Sequence, residues 1–110
     1  EAKARLGQAD AASILFDFES SRDPEYVLST NSGQALVDEI LIQRRIELWG
    51  EGFRFYDLKR TNASLDRTGA NHDSGITNGV MTVAPTDKRW QWLIPIAEIN
   101  ANPLVKQNEL

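Results

Sequence analysis

At 110 residues, 41% hydrophobic and 25% charged, the chain has an ordinary globular composition and the length of one small domain with a modest core. Its net charge of -4, with no basic cluster, argues against nucleic acid or an anionic membrane surface as a partner. With no cysteine there is neither a disulfide framework nor a Cys-based zinc site, and no apolar run approaches the ~20 residues that cross a bilayer.

The chain opens at Glu1, without Met and already in a helical pattern, so it is expected to be a fragment of a longer polypeptide. "EAKARLG" reads as the last turns of a helix closed by Gly7, a residue suited to left-handed backbone. "DAASILFDFESS" is a second helix, with Asp10 as N-cap and Ile14, Leu15 and Phe18 as one apolar stripe. The pair makes a helical hairpin, the unit of α-solenoids.

In the connector "RDPEYVLSTNSG", Asp23-Pro24 starts a turn, and Asn31 and Gln34 have capping-box spacing. From about Ser32 a long helix runs toward Arg60, gathering Val37, Ile40, Leu41, Leu48 and Phe55 on one face. Gly50 and Gly52 interrupt it on either side of Glu51. Each costs a helix interior about 0.8–1.0 kcal/mol relative to alanine, so a bend is expected there, sustained by left-handed backbone or by close contact.

Residues 61–79, "TNASLDRTGANHDSGITNG", read as a surface loop. Residues 80–110 are expected to hold a small β-hairpin, pairing "VMTV" with "RWQWLIP", followed by a single helical turn at most and an extended tail. Pro95 and Pro103 lower the entropy lost on ordering that tail. With Ile94, Ile96, Ile99 and Leu104 as anchors it reads as a strap across helices, a partner-binding peptide being the alternative. The fold class is therefore mainly α: a hairpin, a long helix bent near Gly50-Gly52, a small β-hairpin and a tail.

Glu47, Glu51 and Asp57 are carboxylates of the kind that glycoside hydrolysis needs in pairs. At 3.6 residues per turn, however, Arg44, Glu47, Glu51, Arg54 and Asp57 form one stripe of alternating charge. Adjacent guanidinium groups lower carboxyl pKa values, the wrong direction for a general acid, so the stripe reads as a structural ladder and no enzyme is expected. Trp49, Phe53 and Tyr56 have the spacing of one packed helix face. Trp90 and Trp92 share one face of the expected strand, opposite Arg89 and Gln91, and are the candidate ligand contacts. His72, in "GANHDSG", lacks the spacing of a calcium loop and any accompanying nucleophile; no metal and no cofactor are implied.

Two stretches carry a family resemblance. "LIQRRIELWGEGFRFYDLKR" resembles the hallmark of the SusD/RagB family through Arg44, Glu47, Leu48, Glu51, Gly52, Arg54, Asp57, Leu58 and Arg60. "LIPIAEINANPLVKQN" is similar to that family's C-terminal signature through Pro95, Ile96, Glu98, Ile99, Asn102, Pro103, Gln107 and Asn108. Gln43, Leu93 and the ending Glu109-Leu110 depart from the pattern. "EAKARLGQADAA" looks like the family's last tetratricopeptide-type hairpin, so the resemblance is to the C-terminal segment of longer proteins. It implies an outer-membrane, surface-exposed lipoprotein with an N-terminal lipid anchor, which binds a glycan or other nutrient for a SusC-like TonB-dependent transporter. In such a protein this segment is mainly scaffold, with Arg44, Glu47, Glu51, Gly52, Arg54, Asp57 and Arg60 as its structural motif. The alternative from the residues alone is a free-standing tetratricopeptide-type protein-interaction module.

Overall fold

The structure, a computed structural model, describes residues 1–109; Leu110, half of the altered ending, lies outside the described residues. The chain forms two compact units, Glu1–Arg54 and Phe55–Leu110.

The first unit contains helices α1 (Ala2–Arg5), α2 (Ala11–Glu19) and α3 (Gly33–Glu47). Gly7, at φ 67°, turns the chain between α1 and α2 in the left-handed conformation that its sequence position predicts. Ala4 and Ala11 bring the helices close, while Leu15, Leu36 and Val37 fill the core. The expected stripe on α2 is only partly right. Leu15 is buried, with Ala11 one turn before it, whereas Ile14 and Phe18 remain exposed. Asp10 stands at the N-cap of α2 as expected, but its side chain makes no capping bond and pairs with Lys3. At α3 the N-cap is extended Ser32, while Asn31 donates to Glu39 and Gln34 donates to Asp38.

The expected bend is a break between two helices. After α3 ends at Glu47 the chain makes turns, and α4 (Phe53–Arg60) begins beyond them. Gly50 and Gly52 both sit at φ 80°, and a Cβ placed on either meets nothing within 4 Å. Left-handed backbone is therefore what the glycines supply, and the close-contact explanation falls. Because the helix is interrupted, Leu48 caps α3 and Phe55 belongs to α4, so the five apolar residues do not share one face. Trp49 lies in the break and is exposed, as are Phe53 and Tyr56, so the packed aromatic face does not form.

In the second unit, after most of α4, come β1 (Leu65–Asp66), α5 (Ser74–Thr77), β2 (Thr82–Val83), a 3-10 turn (Lys88–Trp90) and α6 (Ile96–Ala101). The strands are antiparallel, with Leu65 opposite Val83 and Asp66 opposite Thr82. "VMTV" thus supplies a strand as expected, but its partner comes from the stretch read as loop and not from "RWQWLIP". Competing side-chain bonds explain the difference. Asp87 draws residues 88–90 into a tight turn by accepting from the Arg89 N–H at 2.9 Å, and the backbone of Ile94 is satisfied by the Gln107 side chain. α6 has 6 residues, more than the single turn expected. Pro95 precedes it at φ -52°, already near the helical value. No helix among the described residues is long and apolar enough to cross a membrane.

Candidate ligand-binding site

Residues 87–94 build a concave surface that begins with a tightly bonded turn. The Asp87 carboxylate accepts both the Arg89 N–H and its guanidinium, from Nε at 2.9 Å and Nη2 at 2.7 Å. The Arg89 side chain first, and then its backbone N–H, hold the Asp87 carboxyl down at about 2. The turn folds Trp90 back so that its indole N–H donates to the Ala84 carbonyl at 2.7 Å. Its ring meets Phe55 of α4 at 5.5 Å between centroids, tilted by 50°.

Beyond the turn the backbone is extended and clamped by the tail. Asn108 Nδ2 donates to the Trp92 carbonyl at 2.6 Å. The Gln107 amide both donates to the Ile94 carbonyl at 2.9 Å and accepts from its N–H at 2.8 Å. The tail is therefore a strap, but it lies on extended backbone and is held by amides. Leu104, an expected apolar anchor, is 90% exposed.

Phe55, Arg89, Trp90, Gln91, Trp92 and Leu93 line a concavity of ≈ 340 Å³. Trp90 and Trp92 do come together there, although not on a strand face, and Arg89 and Gln91 line it with them. The two tryptophans differ in what they offer. The indole N–H of Trp90 is committed and its ring is packed, whereas Trp92 is 86% exposed on a clamped backbone. An open indole face on a clamped backbone is suited to stacking on a flat apolar surface such as that of a sugar ring. Arg89 is neutralised by Asp87, so the surface offers shape more than charge.

The charged stripe is divided by the break between helices. Arg44 and Glu47 are on α3, Glu51 and Gly52 are in the break, and Arg54, Asp57 and Arg60 are on α4. Glu47 accepts from Arg22 of the connector at 2.8 Å, and the Arg44 guanidinium lies over the Phe53 ring at 5.5 Å. Asp57 is buried and accepts from Arg60 Nε at 2.7 Å. With Glu51 off the helix, the i, i+4 geometry that would set two carboxyls facing each other for hydrolysis does not exist. His72 is exposed in its loop, and no group of three or more His, Asp or Glu side chains among the described residues is placed to hold a metal ion.

Sequence reasoning missed a heavily bonded carboxylate. Glu39 accepts from Tyr26 Oη at 2.7 Å, from Ser29 Oγ and from Asn31 Nδ2 at 2.8 Å, which ties the connector down onto α3. Burial pushes its carboxyl up, but the Ser29, Tyr26 and Asn31 donors outweigh it and hold the group below its ordinary value. Burial and then the bond to Glu39 push the Tyr26 phenol up.

With this geometry in hand, likeness to known proteins is decisive: the sequence matches the SusD family over residues 1–110. The chain belongs to the SusD family. A curated relative, SusD-like protein P38 of Formosa agariphila, is 34% identical over 82 residues. The match covers 74% of this chain and 14% of that relative, so the chain spans a small part of the relative's length. No solved structure matches it. In this SusD-family chain, Gln107 and Asn108 of the C-terminal signature are the amides that clamp residues 92–94, and Gly52 of the helical motif is one of the two left-handed residues at the helix break.

Proposed function

We infer that the chain is the C-terminal scaffold of a cell-surface protein that binds a glycan or related nutrient and passes it to a TonB-dependent transporter of SusC type. The observation that carries this reading is the SusD-family match across residues 1–110. In the proposed parent, a lipid anchor at the N-terminus holds the protein on the outer membrane, and the ligand is captured without being cleaved. The scaffold role is supported by how the motif side chains are spent. Glu47 is bonded to Arg22, Asp57 to Arg60, and Gln107 and Asn108 to backbone, which leaves these groups holding the chain together.

Trp92, and behind it Trp90, are proposed as the one place on this segment where a ligand contact is to be sought. The test is to express the intact reading frame with its transporter partner. Co-purification with the transporter and glycan-array binding without product release are expected. Release of shortened saccharides, or a binding-competent protein that never reaches the cell surface, would contradict it.

A further inference from the structure

The turn that leads out of α5 toward β2 has an Asn-Gly pair at its centre. The Val80 N–H donates to the Thr77 carbonyl at 2.9 Å, which closes a four-residue turn around Asn78 and Gly79. Asn78 stands at φ 49° and Gly79 at φ 73°, the two left-handed residues of a type I′ turn. Both are exposed, and a Cβ placed on Gly79 meets nothing within 4 Å.

The backbone nitrogen after an asparagine can attack the side-chain carbon Cγ and close a five-membered ring. The ring closes when Cβ eclipses that nitrogen, at an asparagine ψ of about -120°, which is the value at the first central residue of a type II′ turn. A flip of the one peptide plane between Asn78 and Gly79 carries a type I′ turn into type II′. Asn78 keeps its positive φ through the flip, and the bond from Val80 to Thr77 is kept as well. Only the φ of Gly79 must change sign, which glycine does without steric cost. No other asparagine in the chain precedes a glycine. Asn62 is the informative contrast. It is also exposed and left-handed, at φ 52°, but the next nitrogen belongs to Ala63, carries a side chain beside it and donates to the Leu58 carbonyl at 2.9 Å.

We propose that Asn78 is a site of self-modification, which the folded turn converts to a succinimide and then to isoaspartate and aspartate. Hydroxide takes the Gly79 N–H proton, and the nitrogen attacks Asn78 Cγ. The N–Cγ bond forms, the Cγ–Nδ2 bond breaks, and the side-chain nitrogen takes a proton from water and leaves as ammonia, which returns the hydroxide. Water then opens the ring at either of its two C–N bonds. Cleavage at Cγ leaves aspartate, whereas cleavage at the main-chain carbonyl leaves isoaspartate, with the chain running through the former side chain. Either product adds a negative charge to the net -4, and isoaspartate also lengthens the backbone of the turn ahead of β2.

The test incubates the intact protein from neutral to mildly alkaline pH, folded and in denaturant. Peptide mapping, with fragmentation that separates isoaspartate from aspartate, follows each asparagine. In the folded protein Asn78 is expected to exchange NH for O several times faster than Asn62, with isoaspartate among the products and a rate that rises with pH. The folded protein is expected to react at least as fast as the denatured chain, and Asn78→Gln, which would need a larger ring, to abolish the ammonia released from this site. Equal rates at Asn78 and Asn62 overturn the proposal, as does a folded protein that reacts more slowly than the denatured chain. Aspartate without isoaspartate overturns the succinimide route, and so does ammonia release from Asn78→Gln that matches the wild type.

Discussion

The side-chain amide of Gln107 pairs with the backbone of Ile94 as a neighbouring strand would, donating to its carbonyl at 2.9 Å and accepting from its N–H at 2.8 Å. Thirteen residues separate the two in sequence. One side chain thus takes the place of the strand partner that the alternation in "RWQWLIP" calls for, and Asn108 extends the clamp to Trp92.

Gln107→Ala removes both bonds. Since the site is exposed and water replaces part of the loss, the expected cost is about 1 kcal/mol. Gln107→Glu keeps the acceptor and loses the donor, so it should fall between the two. Chemical denaturation gives the stability change, and faster hydrogen exchange at the Ile94 amide localises it. An unchanged Ile94 exchange rate would show that the clamp is not formed.

Gly50→Ala and Gly52→Ala each place a side chain at φ 80°, in open space. The expected loss is about 1–2 kcal/mol apiece from backbone strain alone. Asparagine at either position should cost less than alanine, since it tolerates the left-handed region. Thermal melts of the three forms at each site check the order, and alanine more stable than asparagine would contradict it.

Glu39→Gln should cost about 1–3 kcal/mol, because it exchanges a charged acceptor for a neutral one under three donors. The carboxyl's folded-state pKa lies below its unfolded value of 4.5, so its contribution is fully present above that pH. The contribution fades as pH falls through the lower, folded value. Stability measured between neutral and acid pH should therefore decline below 4.5 in the wild type and decline less in Glu39→Gln. Parallel profiles would remove Glu39 as the source.

Trp90 and Trp92 should separate cleanly. Trp90→Ala loses the bond to Ala84 and the Phe55 contact, an expected cost of about 1–3 kcal/mol. Trp92→Ala removes an exposed ring and should change stability by less than about 0.5 kcal/mol. If ligand stacks on Trp92, the same variant loses affinity with its melting temperature intact.

What was legible in the sequence was what periodicity and glycine report. The three-helix start, the turn at Gly7 and the disturbance at Gly50-Gly52 each leave a local signature, and each is present. What was not legible depends on side chains that bond across sequence. Asn31 has the type and spacing of a cap, but Glu39 competes for its amide, and nothing local says which wins. The partner of β2 was hidden in the same way. Leu65 and Asp66 are two residues inside a run of turn-formers, too short to show a period of their own. One signal was available and passed over: Asp87, two residues before Arg89, marks a tight turn where alternation alone suggested a strand. The two motifs of the family resemblance did report identity, since they span both units and stand in order.

The scaffold role is tested most directly at Asp57, which is buried against Arg60. Glycan-array binding is measured for the intact protein with and without Asp57→Asn, below both melting temperatures. A scaffold role predicts a melting temperature lowered by the loss of about 1–3 kcal/mol and the same glycans bound with the same strength. Loss of glycan binding from a variant that melts like the wild type would contradict it.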